Sequence, residues 1–241
     1  MLIYIFYAVS VEATHLLSAI EDKTLLSETP KTVSGKLSGH NILAVETGIG
    51  KVNAAHAITA TITQRERPNI IINFGIAGAY PNTGLAVGDI AICIKEIYAD
   101  EGLHTENGIL GMQEIGIPIL KTNNTSYYNE FPLNKKLAQT ILSTNNIKAQ
   151  IGTFITLSSC TTTNSRALYL QNKYNALCET MEGAAIAHIC TIYNIPLIAI
   201  RGISNIVEKR NKSKWNIPAA SKNCTESVIL FLNNLKKEDI E

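Results

Sequence analysis

The sequence predicts an α/β fold: a central, largely parallel sheet with helices on both faces. Apolar runs alternate with helix-patterned segments from one end of the chain to the other, the signature of strand–helix units. Several of these runs are apolar on both faces, as strands covered on both sides must be. The length, 241 residues, suits one undivided α/β unit that buries roughly 70–75% of its unfolded surface. There is no internal repeat and no linker long enough to divide the chain, so residues 1–241 are expected to form a single domain.

The elements follow in order. Leu2–Val9 reads as a buried strand and Ser10–Ile20 as the helix after it. Asn41–Glu46 is a strand running into Thr47-Gly48-Ile49-Gly50, and Lys51–Gln64 has helical spacing and many alanines. Pro68 ends that segment. Asn69–Phe74 is a β-branched strand stopping at Gly75, and Gly88–Ile97 is another strand. Lys121–Phe131, rich in Asn, Thr and Tyr, reads as a surface loop leading to a helix at Pro132–Asn145. A strand at Gln150–Leu157 precedes helices at Ser165–Asn172 and Met181–Tyr193. Pro196–Ile203 is apolar except for Arg201, Ala219–Leu235 is a closing amphipathic helix, and residues 236–241 fray.

Composition removes several classes of function. Net charge is +1, which gives no footprint for nucleic acid or an acidic partner. The five cysteines are odd in number and lack CxxC spacing, as expected of free thiols in a reducing, cytoplasmic setting. The apolar start Met1–Phe6 has no basic segment before it and no cleavage site after it, so it reads as a core strand. No run approaches the ~18 apolar residues of a membrane span. The five histidines show no metal spacing, and no metal or cofactor is expected. Gly48-Ile49-Gly50-Lys51 is not a triphosphate loop, because Val45 and Val52 stand where a Gly and a Ser or Thr are needed.

In open α/β sheets the ligand sits beyond the carboxyl ends of the strands. Glu12 follows the first strand there. Gly75-Ile76-Ala77-Gly78 follows the third, Glu182 opens a helix after Glu179-Thr180-Met181, and Ser204-Asn205 ends the last apolar strand. Each residue has a plain structural reading: Glu12 suits a helix dipole, and Asn205 suits a cap or turn. Together they bring two carboxylates and an amide to one edge.

The motifs Thr47–Lys51, Asn73–Gly78, Val87–Ile90, Glu179–Ala185 and Arg201–Asn205 resemble, in order, those of the nucleoside phosphorylase and nucleosidase family. Within it, Tyr98–Gly102 with Glu106–Gly108, and Ile203–Arg210 with Trp215, resemble the futalosine-hydrolysing branch. The resemblance implies a nucleoside-phosphorylase-like three-layer α/β/α sandwich with a mixed, largely parallel sheet. It also implies a small-molecule nucleoside substrate and a homodimer or higher homo-oligomer. Glu12 would activate water, Glu182 would hold the ribose hydroxyls, and Met181 would pack on the ribose. Asn205 would meet the base, with further substrate contacts from Ile49, Gly75, Ile76 and Thr161.

Chemistry sharpens these expectations. Cleaving the bond leaves positive charge on the ribose and negative charge on the base, and the site must bind that state best. An Asn donates to a 6-oxo group and accepts from a protonated N7, whereas the family's adenine-releasing members usually carry Asp at position 205. A 6-oxopurine is therefore expected. Ile76 stands where phosphorolytic and some hydrolytic members carry a hydroxyl, and an apolar side chain leaves a phosphate dianion unsolvated, so water is the expected nucleophile. Phe154 or Tyr174 could stack on the base. Lys209, Arg210, Lys212 and Lys214 beside Trp215 read as a solvated loop, or as a lid whose cation meets the benzoate of futalosine.

Overall fold

The computed structural model describes residues 1–106, 108–122, 124–209 and 211–240. The chain begins with β1 (Leu2–Tyr7), a one-and-a-half-turn helix α1 (Thr14–Ala19) and a hairpin of β2 (Glu21–Glu28) and β3 (Lys31–Leu37). Next come β4 (His40–Glu46), α2 (Lys51–Gln64), β5 (Ile70–Ala79) and β6 (Ile90–Tyr98). Five three-residue strands follow: β7 (Leu103–Thr105), β8 (Gly108–Leu110), β9 (Leu120–Thr122), β10 (Thr125–Tyr127) and β11 (Glu130–Pro132). The remainder comprises α3 (Lys135–Thr144), β12 (Ala149–Thr156), α4 (Asn164–Tyr174), β13 (Ala176–Thr180), α5 (Gly183–Ile192), β14 (Leu197–Ile206) and α6 (Ile217–Asn234).

Ten strands form one mixed sheet with helices on both faces, the expected fold class. The strands β4, β1, β5 and β14 lie side by side and run parallel. Beyond them the sheet closes on itself. Strand β14 pairs with β6, β6 with β12, β12 with β13, and β13 returns antiparallel to β5. This closure draws the ends of β5, β13 and β14 together, and the site is built there.

Strand β1 shows why the layers hold. Side chains alternate across a strand. Tyr4 and Phe6 enter one core with Ala54 and Ile58 of α2 and with Ala184, Ala187 and Cys190 of α5. Ile3, Ile5 and Tyr7 enter the other, with Leu16 of α1, Leu137 and Ile141 of α3, and Val228 and Phe231 of α6. Each of the buried Ile, Leu, Val and Phe side chains contributes roughly 1.5–3 kcal/mol. Cys93, Cys178, Cys190 and Cys224 are buried thiols outside any disulfide, and Cys160 is exposed with its Sγ 3.8 Å from Met181 Sδ. Among the described residues no helix is long and apolar enough to cross a membrane.

The structure corrects several sequence expectations. Only Thr14–Ala19 of the expected 10–20 helix forms, so Glu12 sits in a turn, its N–H donating to the Val9 carbonyl at 3.0 Å. The Gly75–Gly78 segment continues β5 instead of following it, because β14 pairs with it out to Ile206↔Ala79. The 121–131 loop contains three short strands. Its β11 pairs with β6, and its Phe131 is buried against Tyr127 and His188.

Candidate active site

A cavity of about 420 Å³ opens at the carboxyl ends of β1, β5, β13 and β14. Of the residues singled out in the sequence, Glu12, Ile49, Ile76, Thr161, Met181, Glu182, Asn205 and Trp215 line it. Gly75 does not line it. That residue acts through what it lacks: a Cβ there would come within 2.7 Å of Glu12 Oε2. Arg210 lies outside the described residues. Phe154 is wholly buried in the core and Tyr174 donates to the Ala99 carbonyl. Trp215 is thus the aromatic side chain lining the cavity among the described residues.

At one end stand two carboxylates. The Glu12 backbone carbonyl accepts from Ser221 Oγ of α6 at 2.6 Å, which ties its turn to the helix layer. The backbone N–H groups of Ile76 and Ala8 favour the charge on its carboxyl. Glu182 occupies the N-cap position of α5. Its carboxylate accepts from Gly50 N–H at 2.7 Å and from Met181 N–H at 3.2 Å. The start of α5 is pinned in turn: Gly183 N–H donates to Thr180 Oγ1 and Ala184 N–H to Thr156 Oγ1, at 3.3 and 2.7 Å.

Beneath them lies Arg201, buried on β14, its Nη1 donating to the carbonyls of Asn73 and Ile200 at 2.6 and 3.0 Å. Three carboxylates share this one cation. Burial pushes the Glu12 carboxyl up to about 7, against the pull of Arg201 and with a push from Glu182. Burial also raises Glu182, opposed by the Gly50 N–H and Arg201. The third, Glu96, is fully buried beneath α5 with its Oε2 accepting from Thr156 Oγ1 at 3.3 Å, and burial raises it to about 7. In the sequence Arg201 stands out as a charge in an apolar strand and as the first residue of the Arg201–Asn205 motif, but no role is assigned to it there.

At the other end, Ser204 Oγ donates to Asn205 Oδ1 at 2.9 Å, which orients the amide. Asn205 Nδ2 donates to the Ile206 carbonyl at 3.2 Å and keeps one hydrogen. Glu179, to which the sequence assigned no role, also lines this end. Its carboxylate accepts from Tyr80 O–H and Thr161 N–H, both at 2.9 Å. Glu208, Asn211, Lys214 and Trp215 line the cavity from the 207–216 segment, and Lys214 Nζ meets Glu208 Oε1 at 2.6 Å.

Comparison with known proteins agrees with this architecture. The model of a family described as the phosphorylase superfamily matches residues 3–233. A futalosine hydrolase of Thermus thermophilus is 33% identical over 184 residues, covering 76% of this chain and 78% of the relative. A 5'-methylthioadenosine/S-adenosylhomocysteine nucleosidase of Geobacillus sp. is 31% identical over 98% of this chain and 100% of its own. Among solved structures, the corresponding nucleosidase of Colwellia psychrerythraea in complex with adenine superposes with a TM-score of 0.83 at 25% identity, covering 98% of this chain and 96% of that one. The native futalosine hydrolase of Helicobacter pylori shares the fold, with a TM-score of 0.80 at 17% identity over 98% of each chain. The chain belongs to the phosphorylase superfamily.

Proposed function

We propose that this phosphorylase-superfamily member is a nucleosidase that cleaves the N-glycosidic bond of a purine nucleoside with water. The observation that carries the reading is the pair Glu12 and Glu182 at one end of a cavity whose other end offers amide and carboxylate. A general base works best with a pKa near the operating pH, and burial brings Glu12 up to about 7. Glu12 takes a proton as the water oxygen bonds to C1′, and the electron pair of the broken C1′–N bond leaves with the base. Glu182 accepts from the ribose hydroxyls and favours positive charge on the sugar, while Met181 packs against the ring. Both carboxylates act where charge develops, which is where fixed groups lower a barrier most.

Water is favoured over phosphate by charge. Arg201 already faces Glu12, Glu96 and Glu182 and donates to two backbone carbonyls. A dianion would add negative charge beside two carboxylates and the apolar wall of Ile76.

The base is read as a 6-oxopurine. Ser204 holds Asn205 with its oxygen toward the serine, leaving an N–H to donate to O6. Among 6-oxopurine nucleosides the reading is futalosine, with release of hypoxanthine. It is supported by the Thermus relative and by Lys214, a cation lining the cavity beside Trp215 that a benzoate on the 5′ substituent would take over from Glu208. A second reading, cleavage of methylthioadenosine or adenosylhomocysteine, is favoured by the Geobacillus relative that matches end to end. Phosphate-free incubation with futalosine, inosine and methylthioadenosine, followed by quantification of free base, separates them. Hypoxanthine from futalosine supports the first reading, adenine from methylthioadenosine the second, and no base from any of them overturns both.

A further inference from the structure

Three strands meet at Gly78. Glu179 of β13 pairs with it from one side and Asn205 of β14 from the other. Residues in register across a sheet share a face, so both side chains rise from one row, with their Cα atoms about 10 Å apart at two strand spacings. Both line the cavity. The row depends on the missing side chain between them, since a Cβ on Gly78 would lie 3.0 Å from Asn205 Nδ2 and 2.8 Å from Val207 Cγ2.

Glu179 is held as an acceptor. Tyr80 O–H donates to its Oε2 and Thr161 N–H to its Oε1, so each oxygen already faces a donor. Burial pushes the Tyr80 phenol far above its ordinary value, so it remains a donor. A carboxylate offers about four acceptor sites, so two remain for a ligand.

The neighbouring edge positions of a purine differ in sign. A 6-oxopurine presents an O6 acceptor and an N1–H donor; a 6-aminopurine presents an amino donor and a bare N1 lone pair. Asn205 Nδ2 complements O6. We propose that Glu179 is a specificity-determining residue that accepts the N1–H of a 6-oxopurine and repels the N1 lone pair of a 6-aminopurine. This rests on the purine-nucleosidase reading and assigns the second half of its base recognition. Glu179→Gln puts an amide donor in the same place, so the variant loses the discrimination.

The test uses free bases, which separates recognition from turnover. Hypoxanthine, 1-methylhypoxanthine and adenine are titrated calorimetrically into the wild-type protein and Glu179→Gln. The wild type is expected to bind hypoxanthine at least about tenfold more tightly than either of the others, the usual scale of one mismatched buried polar group. In Glu179→Gln the preference for hypoxanthine over adenine shrinks below about threefold or inverts. Equal weakening of all three bases in the variant would mean that Glu179 only braces the Thr161 segment, and would overturn the proposal. Equal binding of hypoxanthine and 1-methylhypoxanthine by the wild type would overturn it without any variant. Hypoxanthine binding with this selectivity, but no base release from nucleosides, would sink the hydrolase reading alone; no binding of any base would sink both.

Discussion

Glu12 and Arg201 flank the bare Cα of Gly75. A Cβ at that point would stand 2.7 Å from Glu12 Oε2 and 3.7 Å from Arg201 Nε. The carboxylate therefore owes its position to an absent methyl group. Gly75 has a φ of +157°, a conformation that side chains rarely adopt, so Gly75→Ala should push Glu12 off its place and strain β5 at that point. A displacement of about 1 Å near the chemistry costs on the order of 100-fold, so kcat is expected to fall by about that factor with KM little changed. Steady-state kinetics beside a thermal melt check this; unchanged kcat would mean that Glu12 does not need this position.

The pH profile follows from the same group. Glu12 titrates at about 7 and must be ionised to take a proton from water. The value of kcat/KM should rise with pH, about tenfold per unit below pH 7, and level off above it. A rate that is flat from pH 5 to pH 8 would remove Glu12 as the base.

Glu96 predicts an effect on stability with a definite sign. Its folded value of about 7 lies above the ordinary 4.5. Between these values the folded state keeps a proton that the unfolded state has lost. Its contribution to stability is thus fully present below about 4.5 and is lost as pH rises through about 7. Glu96→Gln should leave Tm nearly unchanged at pH 4 and raise it at pH 8, by about 2–4 °C for each kcal/mol recovered. Calorimetric melts at the two pH values decide it, and a lower Tm at pH 8 would show that the charge is needed beside Arg201.

Base choice is tested at Asn205. Asn205→Asp replaces the N–H that faces O6 with an oxygen. The ratio of kcat/KM for inosine over adenosine should fall by roughly 10- to 100-fold, the cost of one mismatched buried polar pair. An unchanged ratio would take base recognition away from this position.

The layered fold was legible in the sequence because double-sided burial leaves a plain mark. Leu2–Tyr7 and Leu197–Ile203 are nearly continuous apolar runs, and α2 occupies the expected residues 51–64. The β2–β3 hairpin was not legible. Glu21–Glu28 is almost wholly exposed, so neither face carries an apolar alternation. Strand β13, five residues with a glutamate at its fourth position, merged with the approach to the following helix. The same limit applies to the site. Strand-end and motif positions brought Glu12, Met181, Glu182 and Asn205 to one cavity, whereas the roles of Arg201 and Glu179, each the first residue of a motif, depend on pairings across β5 that a motif does not encode.

Water activated by Glu12 is the central claim, and one measurement bears on it most directly. Base release from inosine is followed with and without inorganic phosphate, for the wild type and for Glu12→Gln. The expected result is the same rate with or without phosphate, free ribose as the sugar product, and a loss of roughly 10²–10⁴-fold in the variant, with its thermal melt retained. A rate that requires phosphate and yields a sugar phosphate, or a Glu12→Gln enzyme that turns over like the wild type, would contradict it.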